Sequence, residues 1–216
     1  MPKRQIPRTP AADAEPRLDS PPRIVGGRFR GRKLLYSGDA RTRPMKDRVR
    51  EAVFNLVGPS VVGTQAIDLF AGTGALGLEA LSRGAARATF VEQHQPTARL
   101  IEQNIAHLGV LAQCEVVVGS ALLWPVREPP AGDAPWTVFF SPPWEFFRSK
   151  SAEMLGQIER LARLAPPGST LVVEADLEFD ASQLPANLEW DVRDYLPARV
   201  GVGRIAPASG PQGTAP

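Results

Sequence analysis

Apolar positions along the chain fall into two regimes. From residue 65 onwards, short and nearly continuous apolar runs (QAIDLF, RATFVE, AQCEVVVG, WTVFFS and STLVVEA) are separated by longer stretches. Three of these stretches, ALGLEALSRG, PTARLIEQNIAHLG and SKSAEMLGQIERLARL, repeat their apolar residues at helical spacing. Continuous runs suit strands buried on both faces, and their alternation with helices predicts a mainly parallel sheet covered on each side. The last two runs, LEWDVRDY and ARVGVGRIA, have no helical period between them. They are expected to form an antiparallel hairpin at one edge, completing a seven-stranded α/β domain.

Before residue 61 the pattern differs. RIVGGRFRGRKLL has short apolar pieces broken by Gly-Gly and Arg-Gly, as in a small hairpin. DRVREAVFNLV follows, with Val49, Ala52, Val53, Leu56 and Val57 on one helical stripe and Arg48 and Arg50 off it. Residues 1–22 contain six prolines and little apolar content, and residues 207–216 are similar, so both tails are expected to be disordered. The expected organisation is therefore a tail (1–22), a basic hairpin and helix arm (23–60), a main domain (61–206) and a second tail (207–216).

Charge changes the picture of the arm. Overall the chain is +2, but residues 23–50 alone hold ten Lys/Arg and two acids, Asp39 and Asp47. A block this basic suits phosphate contacts, and arginine's planar fork suits phosphates and guanine edges. A single cysteine, Cys114, excludes an internal disulfide, and no run approaches a membrane span. A soluble cytoplasmic protein without membrane contact is expected. His94 and His107 lack further ligands at metal spacing, so no metal is expected, and Cys114 is expected to pack as a small core or edge residue.

Candidate chemistry begins where QAIDLF runs into AGTGALGLEALSRG. Residues 72–77 match G-x-G-x-x-G at a strand-to-helix turn, which lets backbone approach a ligand closely. On its own this motif also suits a dinucleotide, so a nicotinamide-dependent oxidoreductase stays open. Two acids refine the choice. Asp68 ends the first strand, and Glu92 ends RATFVE, where a carboxylate can accept both hydroxyls of a ribose. S-adenosylmethionine has a free ribose diol, an amino group and a sulfonium, and suits both acids. The alternative role for Asp68 is a charge at the helix N-terminus.

WTVFF is followed by Ser141, Pro142, Pro143 and Trp144. Two prolines end a strand's hydrogen bonding and hold the carbonyls around them. In an α/β sheet this segment should share the carboxyl rim with Gly72 and Glu92. A fixed Pro142 carbonyl and the Ser141 side chain could accept the two N–H groups of an exocyclic amine, with Trp144 stacked on an unstacked base. Otherwise, Trp144 is a hydrophobic cap over the sheet end.

Taken together, RIVGGRFRGRKL, TRPMKDRVREAVFN, DLFAGTGALGLEALSRGA, FVE and SPPW resemble the RsmD-type 16S rRNA guanine-N2 methyltransferases, in order from Arg23 to about Ala206. The resemblance implies a Rossmann-like class I fold and S-adenosyl-L-methionine as cofactor. It also implies methylation of a guanine 2-amino group in small-subunit rRNA, free or in an assembling 30S particle. Asp68, Gly72, Thr73, Gly74, Glu92 and Ser120 would bind the cofactor, and Ser141, Pro142, Pro143 and Trp144 would form the catalytic shelf. Arg23, Arg28, Arg30, Arg32, Lys33, Arg43, Lys46, Arg48 and Arg50 would face RNA.

Three positions depart from the family pattern. Ser141 stands where Asp usually precedes Pro-Pro, which implies slower chemistry, because a neutral hydrogen bond contributes less than a charged one. Ser120 stands where Asp or Asn commonly contacts adenine, and Met45-Lys46 replaces a Thr-rich pair. Ser141 and Ser120 keep a second alternative in view, a non-catalytic RNA-binding assembly factor on the same fold. A monomer satisfies everything the sequence demands.

Overall fold

The computed structural model describes residues 21–39, 44–124 and 132–207. Within them the chain forms α1 (Asp47–Val57), β1 (Gln65–Asp68), α2 (Ala75–Ser82), β2 (Arg87–Glu92), α3 (Gln95–Leu108) and β3 (Cys114–Val118). There follow β4 (Trp136–Phe140), α4 (Phe146–Ser149), α5 (Ser151–Leu164), β5 (Thr170–Asp176), β6 (Glu189–Tyr195) and β7 (Ala198–Arg204). Nearly all of both expected tails, the whole of 1–20 and 208–216, lies outside the described residues, as does Arg43.

The seven strands form one sheet in the order β3-β2-β1-β4-β5-β7-β6. The first five are parallel, and β7 runs antiparallel between β5 and β6. This is the mainly parallel sheet with an antiparallel edge hairpin that the apolar runs predict. The hairpin turns back inward, which leaves the half-exposed β6 as the edge and the more buried β7 inside. Glycine permits this packing: a Cβ on Gly203 would come within 2.9 Å of the Trp190 ring of β6.

Side chains alternate across the strands and build a core on each face. Phe139 joins Phe54, Leu78, Phe90 and Ile101 on one face, while its neighbours Val138 and Phe140 join Ile158, Leu161 and Leu171 on the other. The arm belongs to the first face. Ile24 and Leu34 are 0% and 2% exposed there, each burial stabilising by about 1.5–3 kcal/mol.

The expected hairpin over RIVGGRFRGRKLL is reduced to one antiparallel bridge, Arg23 to Lys33, around a tight turn at Gly27–Phe29. The turn lies against the end of α2 and not on a partner strand. Phe29 N–H donates to Ser82 Oγ (2.9 Å), whose hydroxyl donates to Gly26 O (2.6 Å). Gly27 has φ +71°, and a Cβ there would meet Ser82 O at 2.0 Å, so side-chain-free backbone is required.

Among the described residues no helix is long and apolar enough to cross a membrane. None of them form a group of three or more His, Cys, Asp or Glu side chains able to hold a metal ion. Cys114 is half-buried, and burial pushes its thiol up to about 12, which fits an inert packing role.

Candidate active site

The strand order reverses between β1 and β4, and a cleft of about 780 Å³ opens at the carboxyl ends of the parallel strands. The loop after β1 forms its floor. Gly72 and Gly74 have φ of +52° and +76°, so the turn needs glycine at both. Gly77 is required for a different reason, since a Cβ there would lie 2.4 Å from Phe90 Cε1 where α2 packs on β2.

Glu92, at the end of β2, lines the cleft with its carboxylate already oriented. Oε2 accepts Gly72 N–H (2.9 Å) and Oε1 accepts His94 N–H (2.8 Å), which leaves lone pairs on both oxygens for a diol. Gly119 N–H donates to Glu92 O (3.1 Å) and so ties the end of β3 to the same wall. Ser120 follows and lines the cleft, its Oγ accepting Leu122 N–H at 3.3 Å.

Across the reversal, Ser141, Pro142, Pro143 and Trp144 line the opposite wall. The short turn into α4 uses the later carbonyls: Phe146 N–H donates to Pro143 O and Phe147 N–H to Trp144 O. Among the described residues the Pro142 carbonyl accepts no hydrogen bond. Trp144 packs partly on the first core face, as expected of a hydrophobic cap, and also lines the cleft. The arm closes this side, because Pro44, Met45, Lys46 and Val49 reach the same cleft.

Several expected residues stand elsewhere. Asp68 is 1% exposed and does not line the cleft; its Oδ2 accepts Gly77 N–H (3.0 Å) in the first turn of α2. It therefore serves the helix N-terminus, and burial pushes its carboxyl up to about 7, opposed by the Gly77 bond and reinforced by Glu92. Thr73 and Gly74 are buried beneath the loop, with Thr73 O accepting Asn104 Nδ2 (3.2 Å). They shape the loop without lining the cleft.

Arg50 corrects the expectation most sharply. It is 0% exposed, so it does not face RNA. Its guanidinium donates to Met45 O (3.0 Å), Asp47 Oδ1 (2.8 Å) and Arg23 O, and its Nε lies 3.7 Å from Glu79 Oε2. Inserted between arm and domain, it is held by acids from both.

The other arm cations among the described residues are exposed. Arg23 pairs with Asp47 (2.9 Å), and Arg48 donates to Leu196 O. Arg28 donates to Gln113 Oε1 (2.8 Å) and Arg32 to His107 O (3.0 Å). Gln113 directly precedes β3 and His107 lies in the last turn of α3, so these two contacts are at the end of the sheet away from the cleft. Among the described residues expected to face RNA, only Lys46 lines the cleft.

Spacing missed Lys150, Phe146 and Glu174, all on the cleft wall. Lys150 Nζ sits 4.7 Å from the Phe146 ring centre. Glu174, one position beyond the last paired residues of β4 and β5, accepts the Ser141 hydroxyl proton in a hydrogen bond. The acid near the end of STLVVEA was the available signal, on a strand that reaches the same rim as Glu92.

The family model described as Conserved hypothetical protein 95 matches residues 22–195. Ribosomal RNA small subunit methyltransferase D of Escherichia coli (strain K12) is 38% identical over 165 residues, covering 76% of this chain and 80% of that one. The solved structure of yhhF from Escherichia coli has a TM-score of 0.71 at 32% identity and covers 85% of this chain and 97% of that chain. An RNA methyltransferase from Salinibacter ruber, solved with S-adenosyl-L-homocysteine, shares the fold at TM-score 0.56 and 18% identity, over 81% of this chain and 100% of that one. The seven-stranded sheet is thus that of the class I methyltransferases, and the chain belongs to the Conserved hypothetical protein 95 family, the RsmD-type proteins that its motifs resemble.

Proposed function

We propose that this protein is an S-adenosylmethionine-dependent methyltransferase acting on the exocyclic 2-amino group of a guanine in small-subunit (16S) rRNA. The observation that carries the reading is a single cleft with the Gly72–Glu92 wall on one side of the strand reversal and Ser141–Trp144 on the other. Relatives bearing the name Ribosomal RNA small subunit methyltransferase D support both the reaction and the rRNA class. Membership in that family leaves the nicotinamide alternative without support.

The residues present fit the cofactor. Glu92 offers two fixed carboxylate oxygens to the ribose hydroxyls, Gly72 permits close approach of the backbone, and Ser120 lies beside them for the adenine. When bound, S-adenosylmethionine supplies an electrophilic methyl group. The Pro142 carbonyl and Ser141 Oγ accept the amine's N–H groups and turn the nitrogen lone pair towards that methyl, at no cost in rearrangement during reaction. Trp144 stacks on the base, a contact of about 1–3 kcal/mol. No strong base is required, because the amine carries positive charge after transfer and then loses its proton.

The substrate is rRNA or an assembling 30S particle, bound by a monomer in the cytoplasm. Calorimetric titration of S-adenosylmethionine, followed by labelled-methyl transfer to unmodified 16S rRNA and to 30S particles, tests the proposal. Binding with transfer is expected. Binding without transfer to either substrate would instead identify an assembly factor on the same fold, and absence of binding would remove the cofactor assignment.

A further inference from the structure

Ser141 carries no charge of its own, yet the structure brings a carboxylate to its hydroxyl from another strand. β4 and β5 are parallel, with Phe140 opposite Val173, so Ser141 and Glu174 are the next pair in register and their side chains share a face. That face is the one of Phe139 and Val172, which is closed by the arm. Glu174 is 7% exposed and lines the cleft, and its Oε2 accepts the Ser141 hydroxyl.

Resting on the function proposed above, we propose that Glu174 is a positioning residue for the methyl acceptor. By taking the Ser141 hydroxyl proton in a hydrogen bond, it turns that oxygen's lone pairs towards the cleft, where one accepts an N–H of the substrate amine.

The direction of the hydrogen bond is the essential point. A free serine hydroxyl can donate as readily as it accepts, and a donor facing the amine would oppose the required geometry. An ionised carboxylate accepts only, so Ser141 must donate to it and accept from the substrate. The serine then delivers part of the charge that an aspartate would deliver directly. Burial pushes the Glu174 carboxyl above its ordinary range and the Ser141 bond pulls it back. Glu92, Lys46, Lys150 and His94 are the other titratable groups that share the cleft. Once protonated, Glu174 can donate to Ser141, and the fixed direction is lost.

The test compares wild type with Glu174→Gln, whose amide can donate to Ser141 Oγ and occupy a lone pair. kcat for methyl transfer to 16S rRNA is expected to fall about tenfold or more, the scale of one hydrogen bond to a charged group. S-adenosylmethionine affinity and Tm should be retained. The acid limb of the wild-type pH profile should disappear, and Ser141→Asp added to Glu174→Gln should restore most of kcat by moving the charge to the shelf. Unchanged kcat and pH profile in Glu174→Gln would overturn the inference, as would equal losses in cofactor affinity and Tm that the second substitution fails to rescue.

Binding supplies a readout independent of turnover. Wild type should prefer a single-stranded RNA with guanosine over the same RNA with inosine, which lacks the 2-amino group, and Glu174→Gln should reduce the preference to what the Pro142 carbonyl alone supports. Equal binding of both RNAs by wild type would overturn the inference. Failure of methyl transfer together with a Glu174-dependent guanosine preference would overturn only the proposed reaction.

Discussion

Asp68 illustrates how one side-chain direction decides between two roles. Its position before the glycine loop fits a group facing the cofactor, but the structure turns it inward to Gly77 N–H. Its carboxyl, ordinarily near 3.8, is raised to about 7, so the folded state keeps a proton that the unfolded chain loses. Between these values the unfolded state binds fewer protons, and stability falls as pH rises, flattening above about 7. Asp68→Asn keeps an oxygen for Gly77 and does not titrate. Its stability advantage over wild type should grow by about 3 kcal/mol between pH 5 and pH 8, measured by urea unfolding at both values. An advantage independent of pH would mean that Asp68 titrates normally. Sequence spacing places Asp68, Glu92 and Ser141 at the correct rim because strand ends fix Cα positions. Rotamers and cross-strand neighbours decide the rest, which is why spacing alone points Asp68 at the cofactor and does not single out Glu174.

At the scale of elements, the helices and strands were legible almost to their ends, since strands buried on both faces leave unbroken apolar runs and α3 and α5 carry full helical stripes. The arm was less legible. An Arg off the apolar stripe of α1 reads as solvent-facing, yet Arg50 is buried because α2 supplies Glu79 on the facing surface. Glu79, also 0% exposed, accepts Val25 N–H (2.7 Å) and Arg83 Nε (2.7 Å) and lies 3.7 Å from Arg50 Nε. It thus ties the arm's first loop and α1 to the helix that begins at the glycine turn. Arg50 Nε has no hydrogen-bond partner among the described residues, so the buried pair is imperfectly satisfied. Glu79→Gln should cost about 3 kcal/mol in urea unfolding, because it leaves Arg50 with only the half-exposed Asp47 as counter-charge. In a double-mutant cycle, Arg50→Met combined with Glu79→Leu should cost less than the sum of the two single changes. Strict additivity would mean that the two side chains do not stabilise each other.

For the whole molecule, the question is how far RNA extends from the cleft. The arm's apolar residues are built into the first core face and its N-terminal loop descends towards the far end of the sheet, while Pro44 to Val49 return to the cleft. The cations are therefore spread along one side: Lys46 at the rim, and Arg30 and Lys33 exposed in the loop without side-chain partners among the described residues. A target base held at Trp144 would leave its flanking backbone free to follow this side. Removing a cation that neutralises one phosphate should lower the slope of log affinity against log salt by about 0.7–0.9. Lys46→Gln is expected to remove one such step for 16S rRNA, and the Arg30→Gln, Lys33→Gln pair about two. The second variant matters most, because these cations lie far from the chemistry and their neutralisation should weaken binding across the salt range without altering kcat at saturating RNA. If only Lys46→Gln changes the slope, the footprint ends at the rim, and the basic loop serves the fold through Ile24, Leu34 and Glu79 and not the substrate.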